Sequence, residues 1–136
     1  MKDFAQLFTT IDQTTKTSLK TKALTAFFLT ASDQDKLWCI ALFSGRRPKR
    51  AVTTTQLRAW AAERAGVPLW LLEESYPIVG DLAETIALLL PPAQAVEDHP
   101  LTYWINTLQA LHHVDIDTRK ARILAAWDML DTTERF

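Results

Sequence analysis

Apolar residues recur along this chain in steps of three and four, with polar residues between them, which is the spacing of amphipathic helices. Phe4, Leu7, Phe8 and Ile11 make a first stripe, and Leu19, Ala23, Leu24, Phe27, Phe28 and Ala31 a second. Ser32 is placed to cap a third helix, with Asp35 where a capping box carries its acid. That helix is expected to bury Leu37, Trp38, Ile40 and Ala41 and to end before Gly45. Thr53, Thr54 and Thr55 offer cap oxygens to a fourth helix carrying Leu57, Trp60, Ala61 and Ala65, which Gly66 stops.

Pro68 suits the start of a fifth helix with Leu69, Leu72 and Tyr76 inward, and Pro77 is expected to end it. Gly80-Asp81 opens a sixth through Leu82, Ile86, Leu89 and Leu90, closed by Pro91-Pro92. Residues 91–99 read as a loop. Two further helices follow, about 100–112 with Leu101, Trp104, Ile105, Leu108 and Leu111, and about 117–130 with Ala121, Leu124, Ala125, Trp127 and Met129. The tail 131–136 carries the cap signal of a helix for which no chain remains. No useful stretch alternates with period two. The expected fold is therefore all-α, a compact bundle of about seven to eight helices with short turns, in one domain over 1–136.

Composition narrows the class. Of 136 residues, 48% are hydrophobic and 23% charged, which excludes a disordered chain. A single cysteine excludes an internal disulfide framework and a Cys-based zinc site. Apolar runs such as Ile86 to Leu90 are too short to cross a bilayer, and Met1-Lys2-Asp3 opens no secretory signal, so the expected location is cytoplasmic and nucleoid-associated, with no membrane partner. The net charge of -1 conceals a split: residues 1–64 hold eleven Lys/Arg against five Asp/Glu, whereas residues 65–136 hold four against eleven. One face for a polyanion is the functional reading of that split, and chance clustering the alternative.

No arrangement of acids, bases or nucleophiles reads as an active site. His112 and His113 point about 100° apart on a helix and fit a solvated helix end. Glu73 and Glu74 diverge in the same way, and Cys39 sits among apolar neighbours as a small core residue. Three scattered glycines cannot build a phosphate loop. The predicted catalytic and metal sites are none. Trp38, Trp60, Trp104 and Trp127 lie on apolar stripes and read as core, leaving Trp70 unassigned.

The best local signal is the turn Arg46-Arg47-Pro48-Lys49-Arg50, four cations in five positions beside a stiffening proline. Guanidinium forks suit phosphate, and the turn feeds the helix start at Thr53, whose hydroxyl can meet phosphate or simply cap. Lys16 and Lys20 form a second basic pair at i, i+4. Gly80 and Asp81 form a third candidate, a helix start whose backbone can come close to a ligand and whose free N–H groups can hold a phosphate, with ordinary capping by Asp81 as the alternative.

The runs 37–50 (LWCIALFSGRRPKR), 70–76 (WLLEESY) and 79–85 (VGDLAET), with the opening Phe4-Ala5-Gln6-Leu7-Phe8 and Ile11-Asp12, together resemble the N-terminal DNA-binding domain of bacterial ATP-dependent DNA ligases. The resemblance covers nearly the whole chain. It implies an all-helical module that grips nicked double-stranded DNA across the minor groove and sugar-phosphate backbone, in repair, replication or recombination. It further implies that the 45–50 turn and Gly80-Asp81 approach DNA. The partners it implies are that DNA and the catalytic core of the same ligase. ATP and Mg2+ would be cofactors of the full-length ligase, with none held by this chain. The adenylated Lys-x-Asp-Gly motif of the family is absent, since no Asp here precedes Gly, so this chain by itself would not ligate. A helical protein-interaction or scaffolding domain without catalytic activity is the alternative, supported by the acidic second half and by Trp70.

Overall fold

Helix boundaries in the computed structural model, which describes residues 1–94 and 97–136, fall where the chain supplies caps. α1 (Lys2–Gln13), α2 (Thr17–Thr30) and α3 (Asp33–Phe43) come first. α4 (Thr54–Ala65), α5 (Leu69–Val79) and α6 (Leu82–Leu89) follow, then α7 (Leu101–Ala110), α8 (Ile116–Met129) and α9 (Thr132–Arg135). A 3-10 turn, Leu111–His113, extends the end of α7. The described residues contain no strand, so the all-α expectation holds. The predicted loop 91–99 is irregular where described; its residues 95 and 96 lie outside the described residues.

The chain divides into two compact units. The first comprises Met1–Lys49 and Asp98–Ala110, and the second Arg50–Glu97 and Leu111–Phe136. In the first, Leu7 of α1, Phe27 of α2 and Cys39 of α3 form the core, with Phe4, Ile11, Leu24 and Phe28 packed around it. α7 joins this unit by packing on α3, where Asp35 accepts from the Thr102 backbone N–H at 2.8 Å and from its hydroxyl at 2.5 Å. Asp35 therefore ties two helices together and does not close a capping box, although Ser32 Oγ does accept from the Asp35 N–H at 3.2 Å. Asp98 accepts from the Met1 ammonium at 2.7 Å and from the Lys2 N–H at 3.2 Å.

The second unit has two cores. Ala61, Ala62, Leu72, Ile86 and Leu90 join α4, α5 and α6, and Val52, Trp60, Leu111 and Ile123 join α4 to α8. Two ion pairs brace α4 on α8: Arg64 to Asp128 at 2.8 Å and Lys120 to Glu63 at 2.6 Å. The second unit's acids are thus partly matched by its own bases.

α5 does not stop at Pro77: the helix runs on to Val79 and ends at Gly80, whose left-handed backbone (φ 89°) accommodates the exit. Proline forfeits one hydrogen bond, but so near the end of a helix that loss is small, and the Gly80 N–H still reaches Tyr76 O at 2.8 Å. Leu37 and Ile40 are exposed, 67% and 52%, and the buried residue of α3 is Cys39. Seven consecutive apolar residues, 37–43, wrap the whole circumference of α3, so the pattern there selects no inward face. Leu69 and Leu108 are also substantially exposed. On α8 Ala121 and Ala125 are exposed, because the helix turns Ile123 and Trp127 inward. The tail does form helix, the single turn α9, with Asp131 Oδ1 accepting from the Glu134 N–H at 2.9 Å.

α9 buries a carboxylate. Glu134 is 7% exposed, and neither carboxylate oxygen has a hydrogen-bond partner among the described residues. Desolvation, then the nearby Asp131 charge, pushes its pKa above the ordinary 4.5. A carboxyl raised in the folded state favours folding below its unfolded pKa, and that contribution is lost as pH rises through the folded pKa. Glu134→Gln is therefore expected to raise the melting temperature at pH 7 and to give no gain at pH 4. A melting series across that range is the check.

Candidate nucleic-acid interface

The basic turn starts from a helix end of defined geometry. Gly45 adopts φ 81°, its N–H reaches Leu42 O at 3.1 Å, and the Arg46 N–H reaches Ala41 O at 2.9 Å. This paired closure is the Schellman arrangement, and it fixes the direction in which the chain leaves α3. Arg46, Arg47, Lys49 and Arg50 are all exposed, around a half-buried Pro48. The side chains of Arg46, Arg47 and Arg50 form no ion pair or hydrogen bond with any described residue. Arg46, Arg47 and Lys49 belong to the first unit, and Arg50 opens the second.

Lys16 and Lys20 also lie in the first unit. Lys16 is the exposed residue before α2, and Lys20 is half-buried one turn later. The first unit holds eight Lys/Arg against five Asp/Glu (+3), and the second holds seven against eleven (-4). The charge split of the sequence therefore persists between the units, though it is smaller than the contrast between residues 1–64 and 65–136.

Thr53 caps α4 in a full capping box. Its Oγ1 accepts from the Gln56 N–H at 3.1 Å, and Gln56 Oε1 accepts from the Thr53 N–H at 3.0 Å. The Thr53 hydroxyl retains its proton for donation, so capping and an anion contact are compatible. Gly80 and Asp81 serve the second unit as helix punctuation: Gly80 ends α5, and Asp81 Oδ1 caps α6 by accepting from the Glu84 N–H at 2.9 Å. A Cβ at Gly80 would meet nothing within 4 Å, so the glycine is required by its positive φ and not by crowding. α5 and α6 carry no Lys or Arg, and Glu73, Glu74, Asp81 and Glu84 leave this region acidic.

Two other arginines of the second unit have structural work. Arg119 donates to Val114 O at 3.0 Å, Ala51 O at 2.9 Å and His112 O at 3.4 Å. Arg135 donates to Trp127 O at 2.8 and 2.6 Å and to Pro91 O at 2.8 Å. These arginines neutralise carbonyls that end helices and loops, a task that sequence spacing does not reveal. Arg119→Ala should cost about 2 kcal/mol by stranding those carbonyls, whereas exposed Arg122→Ala should stay within about 0.5 kcal/mol. Urea unfolding of the two variants is the comparison.

Two cavities lie within the first unit. One of about 310 Å³ is lined by Phe4, Phe27, Ser32, Asp35, Asp98 and His99 among others, and one of about 430 Å³ by Gln34, Leu37, Trp38, Ala41, Thr102 and Asn106. Neither has a Lys or Arg in its wall, so neither suits phosphate. No group of three or more metal-ligating side chains occurs among the described residues. No described helix is long and apolar enough to cross a membrane. Trp60 and Trp104 are buried and Trp38 and Trp127 half-buried, while Trp70 is 59% exposed.

The chain matches no curated protein and no solved structure. The sequence model of one family, described as DNA ligase N terminus, matches residues 1–129. That match takes in every helix from α1 to α8, together with the basic turn and both glycine-bounded caps described above. The chain belongs to the DNA ligase N-terminus family.

Proposed function

We propose that this chain is the DNA-binding module of an ATP-dependent ligase, positioning nicked duplex DNA for sealing by a catalytic core that lies outside these 136 residues. The observation that carries this reading is the set of exposed guanidinium groups of Arg46, Arg47 and Arg50, left without a counter-charge among the described residues beside the closed end of α3. Like charges so close in sequence repel, and an anion laid across them relieves the repulsion. Phosphate suits guanidinium best, because two N–H groups meet two oxygens.

Arg46, Arg47, Lys49 and Arg50 hold phosphates in this reading. Lys16 and Lys20 add positive field, and Thr53 adds a hydroxyl donor. Gly80 contributes open backbone at a sugar and not charge, since its surroundings are acidic and its N–H is already used. Such contacts set the position of a duplex without reading its bases. ATP and Mg2+ serve the catalytic core. Adenylation, repair, replication and recombination belong to the whole ligase, and a nucleoid location follows from binding chromosomal DNA.

Fluorescence anisotropy with a labelled nicked duplex tests this. With four cations on phosphates, log K should fall against log salt with a slope of about -3 to -4. Affinity that does not respond to salt, or no binding at low salt, would overturn the reading.

A further inference from the structure

α5 presents a face that nothing described in the second unit covers. Trp70, Glu73, Glu74 and Pro77 follow at helical spacing on one side of it, and all are exposed. Trp70 is 59% exposed, and Ile78 at the end of the strip is 87% exposed. Leu72, on the opposite side, is fully buried, so the helix is anchored and the strip is held rigidly outward. An indole of this exposure beside two carboxylates is costly to leave in water and well suited to a contact.

The charge of this strip defines its occupant. α5 and α6 contain no Lys or Arg, and the side chains of Glu73 and Glu74 form no ion pair or hydrogen bond with any described residue. Phosphates would be repelled along the strip itself, so its occupant is not nucleic acid. We infer that the Trp70–Glu73–Glu74 face of α5 docks a basic amphipathic segment of a partner protein, an apolar side chain covering Trp70 and Lys or Arg meeting the two glutamates. Basic side chains with apolar stems fit both halves of the strip at once, and an aromatic anchor ringed by charge is the usual make-up of an interface centre. Trp70 stands ten residues before Gly80, about 15 Å along a helix.

The inference is independent of the DNA reading, and the experiment separates the two. The probe is a synthetic amphipathic peptide with Leu at i, i+4, i+7 and Lys at its other positions, titrated calorimetrically into the full chain. A peptide with Glu in place of Lys is the control. Binding by the basic peptide alone is expected, weakened about tenfold or more by Trp70→Ala and likewise by a Glu73→Lys, Glu74→Lys double variant. Both substitutions are at exposed positions, and circular dichroism confirms that the variants fold. Arg46→Ala with Arg47→Ala should leave peptide affinity unchanged. No binding, or binding indifferent to Trp70, would each overturn the inference. So would concentration-dependent self-association abolished by Trp70→Ala, since the face would then belong to a second copy of this chain.

Discussion

Replacing Arg46 and Arg47 together with Ala is expected to cut affinity for nicked duplex about sixty-fold at 0.1 M salt. Each cation withdrawn from a phosphate takes about 0.9 off the salt slope, worth about eightfold at that ionic strength. The slope itself should fall from about -3 to -4 to about -2. Both residues are exposed and outside every core cluster, so the melting temperature should hold. Arg122→Ala is the appropriate control, because Arg119, equally basic in sequence, holds three carbonyls and would confuse binding with folding. An unchanged slope in the double variant would move the duplex elsewhere on the chain.

The largest effect on stability is expected from Leu72→Ala, about 3 kcal/mol or more. Leu72 is fully buried where Ala61, Ala62, Ile86 and Leu90 converge. Two alanines among its neighbours leave little side chain able to swing into the space, so most of the cavity stays open. For a chain of this size that corresponds to a melting temperature lower by about 10 °C. Leu88→Ala supplies the contrast: with 61% exposure it should change stability by less than about 0.5 kcal/mol. Thermal melts of the two variants side by side measure the difference.

Caps were legible because their signals are local. Ser32, Thr53 and Asp81 each accept from the backbone N–H three residues on, and that requires only the right oxygen at the right place. Faces were legible where apolar residues recur at steps of three and four with polar residues between them, as with Leu7 on α1. They were not legible where every side is apolar. On α3, packing alone chose Cys39 over Leu37 and Ile40. The return of α7 to the first unit was equally hidden, since Asp35 and Thr102 meet across 67 positions of chain. At the candidate interface, sequence located the cations but not their employment. Spacing cannot distinguish the open guanidinium of Arg46 from that of Arg119, which is spent on carbonyls.

Cys39 gives the first unit a built-in chemical clock. The chain's one thiol is wholly enclosed with Leu7 and Phe27, and burial pushes its pKa up to about 11. An alkylating reagent attacks only thiolate that it can reach. The rate of alkylation in native buffer therefore counts how often α1, α2 and α3 part company, and any ligand that holds them together will slow it.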